Sequence, residues 1–152
     1  MHITLIVLGK LKSGPFKAAI DEYQKRLSWS LTLIEIDARS KLQGEALKAY
    51  EAQEILKCIP AASFVISLDE RGENLSSPEF ATLFSDIQNH HQGRVTCIIG
   101  GADGLDAGVR KLSQKTISMG KLTWPHMLAR VMLFEQIYRA QQILKGHPYH
   151  RE

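Results

Sequence analysis

The chain has 152 residues, of which 44% are hydrophobic and 23% are charged, with a formal net charge of +3 at pH 7. These values exclude a disordered chain and are typical of a globular protein with a substantial core, so we expect a single domain over residues 1–152. The small positive charge permits nucleic acid as a partner but does not require it.

Targeting and metal-binding signals are weak in this sequence. No apolar run approaches the roughly 20 residues that a membrane span needs, and the first residues carry no basic region or cleavage motif of a signal peptide. Cys58 and Cys97 form neither a C-x-x-C pair nor a zinc-ligand spacing. We therefore expect reduced, structural thiols in a cytoplasmic protein that has no metal site and no contact with a membrane.

The first half of the chain alternates between strand and helix patterns. Short runs rich in β-branched residues predict strands over residues 3–8, 31–36 and 63–68. An apolar stripe after Pro15 predicts the first helix. The alanine, leucine and glutamate content of residues 44–58 predicts the second.

The second half repeats this alternation. Ser77 is the predicted N-cap of a third helix, and residues 95–99 form a buried strand. Asp106 is a suitable cap for a short helix, and a fifth strand is predicted over residues 116–119. A long last helix is predicted from Pro125 to about residue 145. The alternation predicts an α/β fold with a mostly parallel sheet and helices on both faces.

The long last helix is apolar on more than one side. Leu128 and Val131 lie on one predicted face, whereas Leu133 and Ile137 lie on another. A helix at the surface of a monomer needs only one apolar stripe. A second apolar side predicts a homodimer interface, although a helix in the centre of the core would show the same pattern.

Three loops that follow predicted strands are candidate ligand contacts. Gly100 and Gly101 end the fourth strand, Leu68 ends the third, and residues 119–125 follow the fifth. The glycine loop fits neither the dinucleotide fingerprint nor the P-loop, so it disfavours bound phosphate. It predicts a small ligand held by backbone groups, or otherwise a tight turn, and the charged residues after Leu68 are also compatible with an ordinary solvated turn.

The carboxyl-terminal tail, residues 147–152, is unusually rich in polar rings and cations. Stacking and phosphate contacts to RNA suit Tyr149, His150 and Arg151. A histidine pair without a third ligand nearby predicts no metal site. The sequence contains no G-x-S-x-G motif, so a serine nucleophile is not predicted.

Taken together, residues 98–104, residues 122–131 and the segment from residue 135 to the tail closely resemble the RlmH family. This is a family of small bacterial SPOUT-class methyltransferases that methylate N3 of a pseudouridine in the 23S RNA of the large ribosomal subunit. The resemblance covers the whole chain. It implies a carboxyl-terminal trefoil knot, which no periodicity argument would find. It also implies a homodimer in which the tail of one subunit completes the site of the other.

The cofactor implied by the resemblance is S-adenosylmethionine, held in the knot by the three loops. The implied cofactor-binding residues are Leu68, Gly100, Gly101, Met119, Gly120, Lys121, Leu122, Thr123, Trp124 and Pro125. Trp124 stands where the family would lead us to expect a smaller aliphatic residue, which predicts an altered adenine pocket. Asp103 has no role that the resemblance assigns.

The chemistry implied by the resemblance needs a surface for RNA and the removal of the weakly acidic N3 proton, for which a positioned base or a nearby cation could suffice. The implied catalytic residues are His126, Tyr149, His150 and Arg151, with either histidine as the base. The implied substrate-binding residues are Arg130, Arg139, Tyr149 and His150. A basic surface formed by Lys10, Lys12, Arg39 and Lys41 is expected to face the assembled ribosome.

Two other functions share some of these sequence features. A non-catalytic nucleotide- or RNA-binding module of flavodoxin-like architecture would have the same glycines at a strand end but would not need S-adenosylmethionine. A small NAD-dependent enzyme is disfavoured because the dinucleotide fingerprint is missing.

Overall fold

A computed structural model describes residues 1–37, 41–101 and 103–151, so Arg39 lies outside the described residues. The described residues form a sheet with the strand order β2-β1-β4-β3-β5, in which every neighbouring pair is parallel. The elements are β1 His2–Leu8, α1 Pro15–Arg26, β2 Ser30–Ile36, α2 Gly44–Cys58, β3 Phe64–Asn74, α3 Ser77–His90, β4 Arg94–Ile99, α4 Ala107–Leu112, β5 Lys115–Ser118 and α5 His126–Leu144. The predicted α/β class is confirmed.

Helices cover both faces of the sheet, because alternate strand residues point to opposite sides. Leu5 of β1 packs in a core cluster that contains Phe84 of α3 and Phe134 of α5. Its neighbour Ile6 packs in a second cluster with Ile55 of α2. A central strand that is buried on both faces has a nearly continuous apolar run, which is the pattern of residues 3–8 of β1 and residues 95–99 of β4 apart from Thr4 and Thr96.

The largest departure from the predicted elements is in β3, which continues to Asn74 rather than ending near Leu68. Its pairing with β5 is interrupted, since Leu68 and Glu73 both pair with Ile117. The four residues between them form a bulge, residues 69–72, that leaves the sheet and rejoins it. The charged sequence of this bulge looks like a turn, which is why the strand was predicted too short.

The start of α3 corrects a second prediction, because the N-cap is Ser76 and not Ser77. The Ser76 backbone N–H donates to Glu79 Oε2 at 2.7 Å, and the Glu79 N–H donates to Ser76 Oγ at 3.4 Å. This capping box needs a glutamate three residues after the cap, and that spacing fits Ser76 alone. Ser77 instead donates its hydroxyl hydrogen to Gln136 Oε1 at 2.8 Å.

The last helix, α5, is buried on one side only. Leu133, Phe134 and Ile137 are fully buried, whereas Leu128, Val131 and Met132 are only partly covered. The partly covered side fits the expected homodimer interface, which stays a prediction, as does the trefoil knot. Among the described residues, no helix has the length and apolar character needed to cross a membrane.

Gln141 on α5 connects this helix to the turn before β2. Its Oε1 atom accepts hydrogen bonds from Ser28 N at 2.9 Å, Ser28 Oγ at 3.0 Å and Trp29 N at 3.2 Å. We expect Gln141→Leu to lower the free energy of unfolding by about 2 kcal/mol, because it leaves backbone donors without an acceptor. In thermal melts the exposed Gln53→Leu is the matched control, and equal melting temperatures for the two variants would contradict this prediction.

Candidate active site

A cavity of about 540 Å³ lies beyond the carboxyl ends of β4 and β5 and beside the bulge of β3. Ligands in open α/β sheets bind at this edge. The three predicted loops meet here, and the predicted residues that line the cavity are Leu68, Gly100, Gly101, Met119, Gly120, Leu122, Thr123 and Trp124. Lys121 and Pro125 belong to the same loop but do not line the cavity. The structure thus brings the loops together, while the cofactor roles of their residues stay predictions.

The glycine loop after β4 is both a tight turn and a wall of the cavity. The Gly104 N–H donates to Gly101 O at 3.2 Å, which folds the loop back on itself. A Cβ atom at Gly100 would lie 2.9 Å from the Gly104 carbonyl carbon, so the fold-back requires glycine at position 100. A Cβ at Gly101 would meet only ordinary contacts, the nearest at 3.6 Å from Glu51 Oε1. The two interpretations of this loop from the sequence, a ligand contact and a tight turn, are therefore compatible.

Charged side chains around the cavity are mostly acidic. The carboxylates are Glu45, Asp69, Glu70, Asp103 and Asp106, against the cations Lys48, Arg71 and Arg110. Asp69 is the most enclosed, with its side chain 7% exposed, and it accepts the Arg71 backbone N–H at 3.0 Å and a 3.4 Å contact from Arg110 Nη1. Because acidic groups repel phosphate, the cavity suits a neutral or cationic ligand.

The loop after β5 is held closed by two internal hydrogen bonds. Trp124 donates its indole N–H to Met119 O at 3.0 Å, and Ser118 donates its hydroxyl hydrogen to Gly120 O at 2.6 Å. The indole lines the cavity while 38% of the residue stays exposed. An aliphatic residue at this position would have no N–H to donate to Met119 O, and the altered adenine pocket stays a prediction.

His126 lines the same cavity at the first position of α5. Its Nε2 atom lies 4.0 Å from the place that a Cβ at Gly9 would occupy. Partial burial, followed by the charge of Arg130, lowers the pKa of the imidazole below its ordinary value. A neutral imidazole is the form that accepts a proton.

We expect the imidazole of His126 to titrate below about pH 6.5, the ordinary value for histidine. The unfolded chain then binds a proton at this position that the folded chain does not. The resulting stability is complete above about pH 6.5 and is lost as the pH falls towards the lower folded-state pKa. Proton NMR gives the midpoint directly, and His126→Asn removes this part of the pH dependence of unfolding. A midpoint at or above pH 6.5 would contradict the prediction.

Arg130 is not placed where it was predicted to contact RNA phosphates. It is fully buried, and its guanidinium donates to the carbonyl oxygens of Leu8 and Gly9 and to Glu35 Oε1 at 3.1 Å. All these partners belong to the protein. In this arrangement the side chain supports the interior and presents no surface to a substrate.

The described part of the tail lies against α5 of its own chain. The Tyr149 hydroxyl donates to Glu135 Oε1 at 3.1 Å, and the guanidinium of Arg139 lies 4.8 Å from the Tyr149 ring centroid. Arg139 Nη1 also lies 3.3 Å from His150 Nδ1. Burial and the Glu135 carboxylate raise the pKa of the Tyr149 phenol.

The tail and the cavity are well separated within one chain. Arg139 lies 13 residues after His126 on α5, which is about 20 Å along the helix. Neither Tyr149, His150 nor Arg151 lines the cavity. The structure therefore places Tyr149 and His150 beside Arg139, but it does not bring them to His126 within a single subunit.

A second cavity of about 390 Å³ adjoins the first. It lies between α1, α3, β5 and α5, and its lining includes Tyr23, Val131 and Glu135. Ser118 and Met119 line both cavities. This second cavity therefore connects the neighbourhood of the tail to the loop that follows β5.

Several polar residues around the cavity were not predicted from the sequence. Asp69 and Arg110 carry a weak signal, because each lies next to a predicted strand end or cap. Glu35 has none, since its partner Arg130 is 95 residues away in the chain, whereas Glu135 has the local signal of an ion pair with Arg139 four residues later. No group of three or more histidine, cysteine or acidic residues suited to a metal ion occurs within residues 1–37, 41–101 and 103–151.

Comparisons with known proteins agree with this geometry. A family model described as "Predicted SPOUT methyltransferase" matches residues 1–150. A protein of Rhodospirillum centenum named "Ribosomal RNA large subunit methyltransferase H" is 45% identical over 151 residues, covering 99% of each chain. A protein of the same name from Carboxydothermus hydrogenoformans is 42% identical and covers 99% of this chain and 100% of its own.

Solved structures support the fold alone, because their sequence identity is low. A probable methylase family protein from Haemophilus influenzae has a TM-score of 0.57 at 14% identity, covering 99% of this chain and 70% of its own. A probable methyltransferase from Bordetella pertussis has a TM-score of 0.56 at 16% identity, covering 91% and 95%. The family model and the near-full-length relatives show that the chain belongs to the SPOUT methyltransferases and, within them, to the RlmH family.

Proposed function

We propose that this protein methylates N3 of a pseudouridine in large-subunit ribosomal RNA, using S-adenosylmethionine, as one methyltransferase domain. The observation that carries the proposal is the cavity formed by three strand-end loops in a member of the SPOUT methyltransferase family. Relatives of near-full-length similarity are named as ribosomal RNA large subunit methyltransferases. We expect the protein to act in the cytoplasm on the assembled ribosome.

The residues around the cavity fit S-adenosylmethionine. When bound, this cofactor supplies a methyl group already activated by a sulfonium, so no protein nucleophile is needed. The acidic excess around the cavity suits a cation, and the folded-back glycine loop offers backbone groups to a polar ring. Leu68, Met119 and Trp124 would supply apolar walls.

The remaining chemical tasks are to align the ring nitrogen and to remove its proton. His126 is the base that we favour, because its imidazole lines the cavity and its pKa is lowered, which keeps it neutral. His150 is the alternative base and Tyr149 the stacking surface for the target nucleotide. Arg139 and Arg151 are proposed to contact RNA phosphates, whereas the buried Arg130 is not.

A homodimer would reconcile the tail with the cavity. The tail lies too far along α5 to reach the cavity of its own chain, while the side of α5 that carries Val131 and Met132 is only partly covered. We propose that a second copy packs on this side and brings its tail to the cavity. The exposed Lys10, Lys12 and Lys41 would extend the surface towards ribosomal RNA.

Calorimetry and methyl transfer test the proposal together. We expect S-adenosylhomocysteine to bind and methyl groups to enter large-subunit RNA of ribosomes from cells that lack this protein. Mass mapping of that RNA identifies the modified base and atom. Failure of S-adenosylhomocysteine to bind, with a nucleotide binding instead, would favour a non-catalytic nucleotide-binding module and would overturn the proposal.

A further inference from the structure

A buried ion pair connects α5 to the ends of two strands beside the candidate active site. Arg130 is fully buried, and its Nη1 atom donates to Glu35 Oε1 of β2 at 3.1 Å. Its Nη2 atom donates to Gly9 O at 2.7 Å and to Leu8 O, at the end of β1. One guanidinium thus holds three acceptors from two strands, which suits its planar, forked set of donors.

The same ion pair also fixes the loop that follows β1. Glu35 Oε1 accepts the Leu11 backbone N–H at 2.8 Å. The Gly9 N–H donates to Ile36 O at 2.8 Å, and Gly9 has a positive φ of 84°. Residues 9–11 are therefore held from both sides, by β2 and by Arg130. This loop has no regular secondary structure, so these hydrogen bonds define its position.

The side chain of His126 lies close to this loop. Arg130 lies one helical turn after His126 on α5, so both side chains project from the same face of the helix. At Gly9, an added Cβ would lie 3.8 Å from Arg130 Nη2 and 4.0 Å from His126 Nε2. Gly9 thus lies beside both side chains, and moving the loop would change the environment of the imidazole.

We propose that Arg130, together with Glu35, is a positioning residue that fixes the loop after β1 against the start of α5 and so holds the His126 imidazole at the cavity wall. The proposal rests on the proposed function for its effect on catalysis. It gives Arg130 a role without contact to RNA. The other charged residues that line the same cavity as His126 are Glu45, Lys48, Asp69, Glu70, Arg71, Asp103, Asp106 and Arg110.

Arg130→Lys is the decisive variant because it keeps the charge but loses the fork. An ammonium cannot reproduce three hydrogen bonds in one plane. We expect kcat for methyl transfer to fall on the order of tenfold, since small misplacements of a reacting group are costly. KM for ribosomes should stay at the wild-type value. A direct phosphate contact would instead raise KM, and lysine would largely replace arginine.

NMR supplies a readout that does not depend on activity. In Arg130→Lys and in Glu35→Gln we expect shifted His126 ring signals and faster exchange of the Leu11 amide hydrogen. Arg94→Lys is the matched control, because Arg94 is exposed at the start of β4, where the amino ends of the strands lie far from the cavity. It should change neither the His126 signals nor the exchange of the Leu11 amide. Glu35→Gln keeps an acceptor for Leu11, so it remains informative where Arg130→Lys is poorly folded.

The outcomes separate this proposal from the proposed function. Unchanged His126 signals in both folded variants would overturn the positioning role, whatever happens to the rate. Shifted signals with an unchanged kcat would also overturn it, because the placement would not matter for catalysis. Wild-type protein that neither binds S-adenosylhomocysteine nor transfers methyl groups would refute the proposed function, while the NMR result would still decide whether Arg130 and Glu35 hold His126.

Discussion

Gly72→Ala is expected to lower the free energy of unfolding by about 3 kcal/mol, at the upper end of the usual cost of overpacking. Gly72 ends the bulge in β3, where the strand rejoins β5. A Cβ atom there would lie 2.7 Å from both N and Cα of Ile117 and closer still to its carbonyl carbon. The obstacle is the backbone of a neighbouring strand, which cannot rotate away as a side chain can.

The expected loss corresponds to a fall in melting temperature of roughly 6–12 °C for a chain of this size. Gly101→Ala is the matched control for stability, since a Cβ there meets only contacts of 3.6 Å or more. Equal melting temperatures for Gly72→Ala and Gly101→Ala would contradict the prediction. They would show that β3 and β5 move apart at little cost to accommodate the added Cβ. The bulge also carries Asp69, so we expect the destabilised variant to lose ligand binding as well.

Removal of the tail, residues 147–152, is expected to reduce methyl transfer by about 10²-fold or more, because the stacking surface of Tyr149 and the phosphate contact of Arg151 that orient the target nucleotide are lost. The His150→Ala variant should show a smaller loss in the same direction. The melting temperature should change little, because the contacts of Tyr149 and His150 are with half-buried residues of α5, such as Glu135 and Arg139, and not with the core. His90→Ala, at an exposed position at the end of α3, is the matched control for the histidine substitution.

A mixing experiment asks whether the tail acts on the partner's cavity. Protein without the tail and His126→Ala protein are each expected to be inactive. In a mixed dimer, the intact cavity of the first would meet the intact tail of the second, so part of the activity should return. No recovery on mixing would contradict a composite site, and wild-type rates in the tail-deleted protein would refute any role of the tail.

The elements of this fold were predictable because they follow from local patterns. The β1 and β4 runs are apolar except for Thr4 and Thr96, as is typical of strands buried on both faces, and α2 has the predicted bounds of residues 44–58. The bulge of β3 was not predictable in the same way. Its charged residues look like a turn, and only the pairing of both Leu68 and Glu73 with Ile117 shows that the strand resumes.

The loops of the candidate site could be predicted from the sequence, but the buried residues that hold these loops in place could not. Strand ends that carry glycine point to a ligand edge, and the structure places these loops around one cavity. Arg130 departs from its expected role, because the resemblance implied a contact with the substrate and the structure buries its side chain. Its actual partners, Glu35 and the carbonyl oxygens at the end of β1, are remote in sequence and carry no local signal.

The wall shared by the two cavities has a thermodynamic consequence. Ser118 and Met119 line the 540 Å³ cavity on one side and the 390 Å³ cavity, which reaches the neighbourhood of the tail, on the other. Where a second subunit covers the second cavity, ligand binding and dimerisation both depend on the position of these two residues. Each can then weaken or strengthen the other. Linkage then requires reciprocity: the factor by which the ligand changes dimer affinity equals the factor by which dimerisation changes ligand affinity.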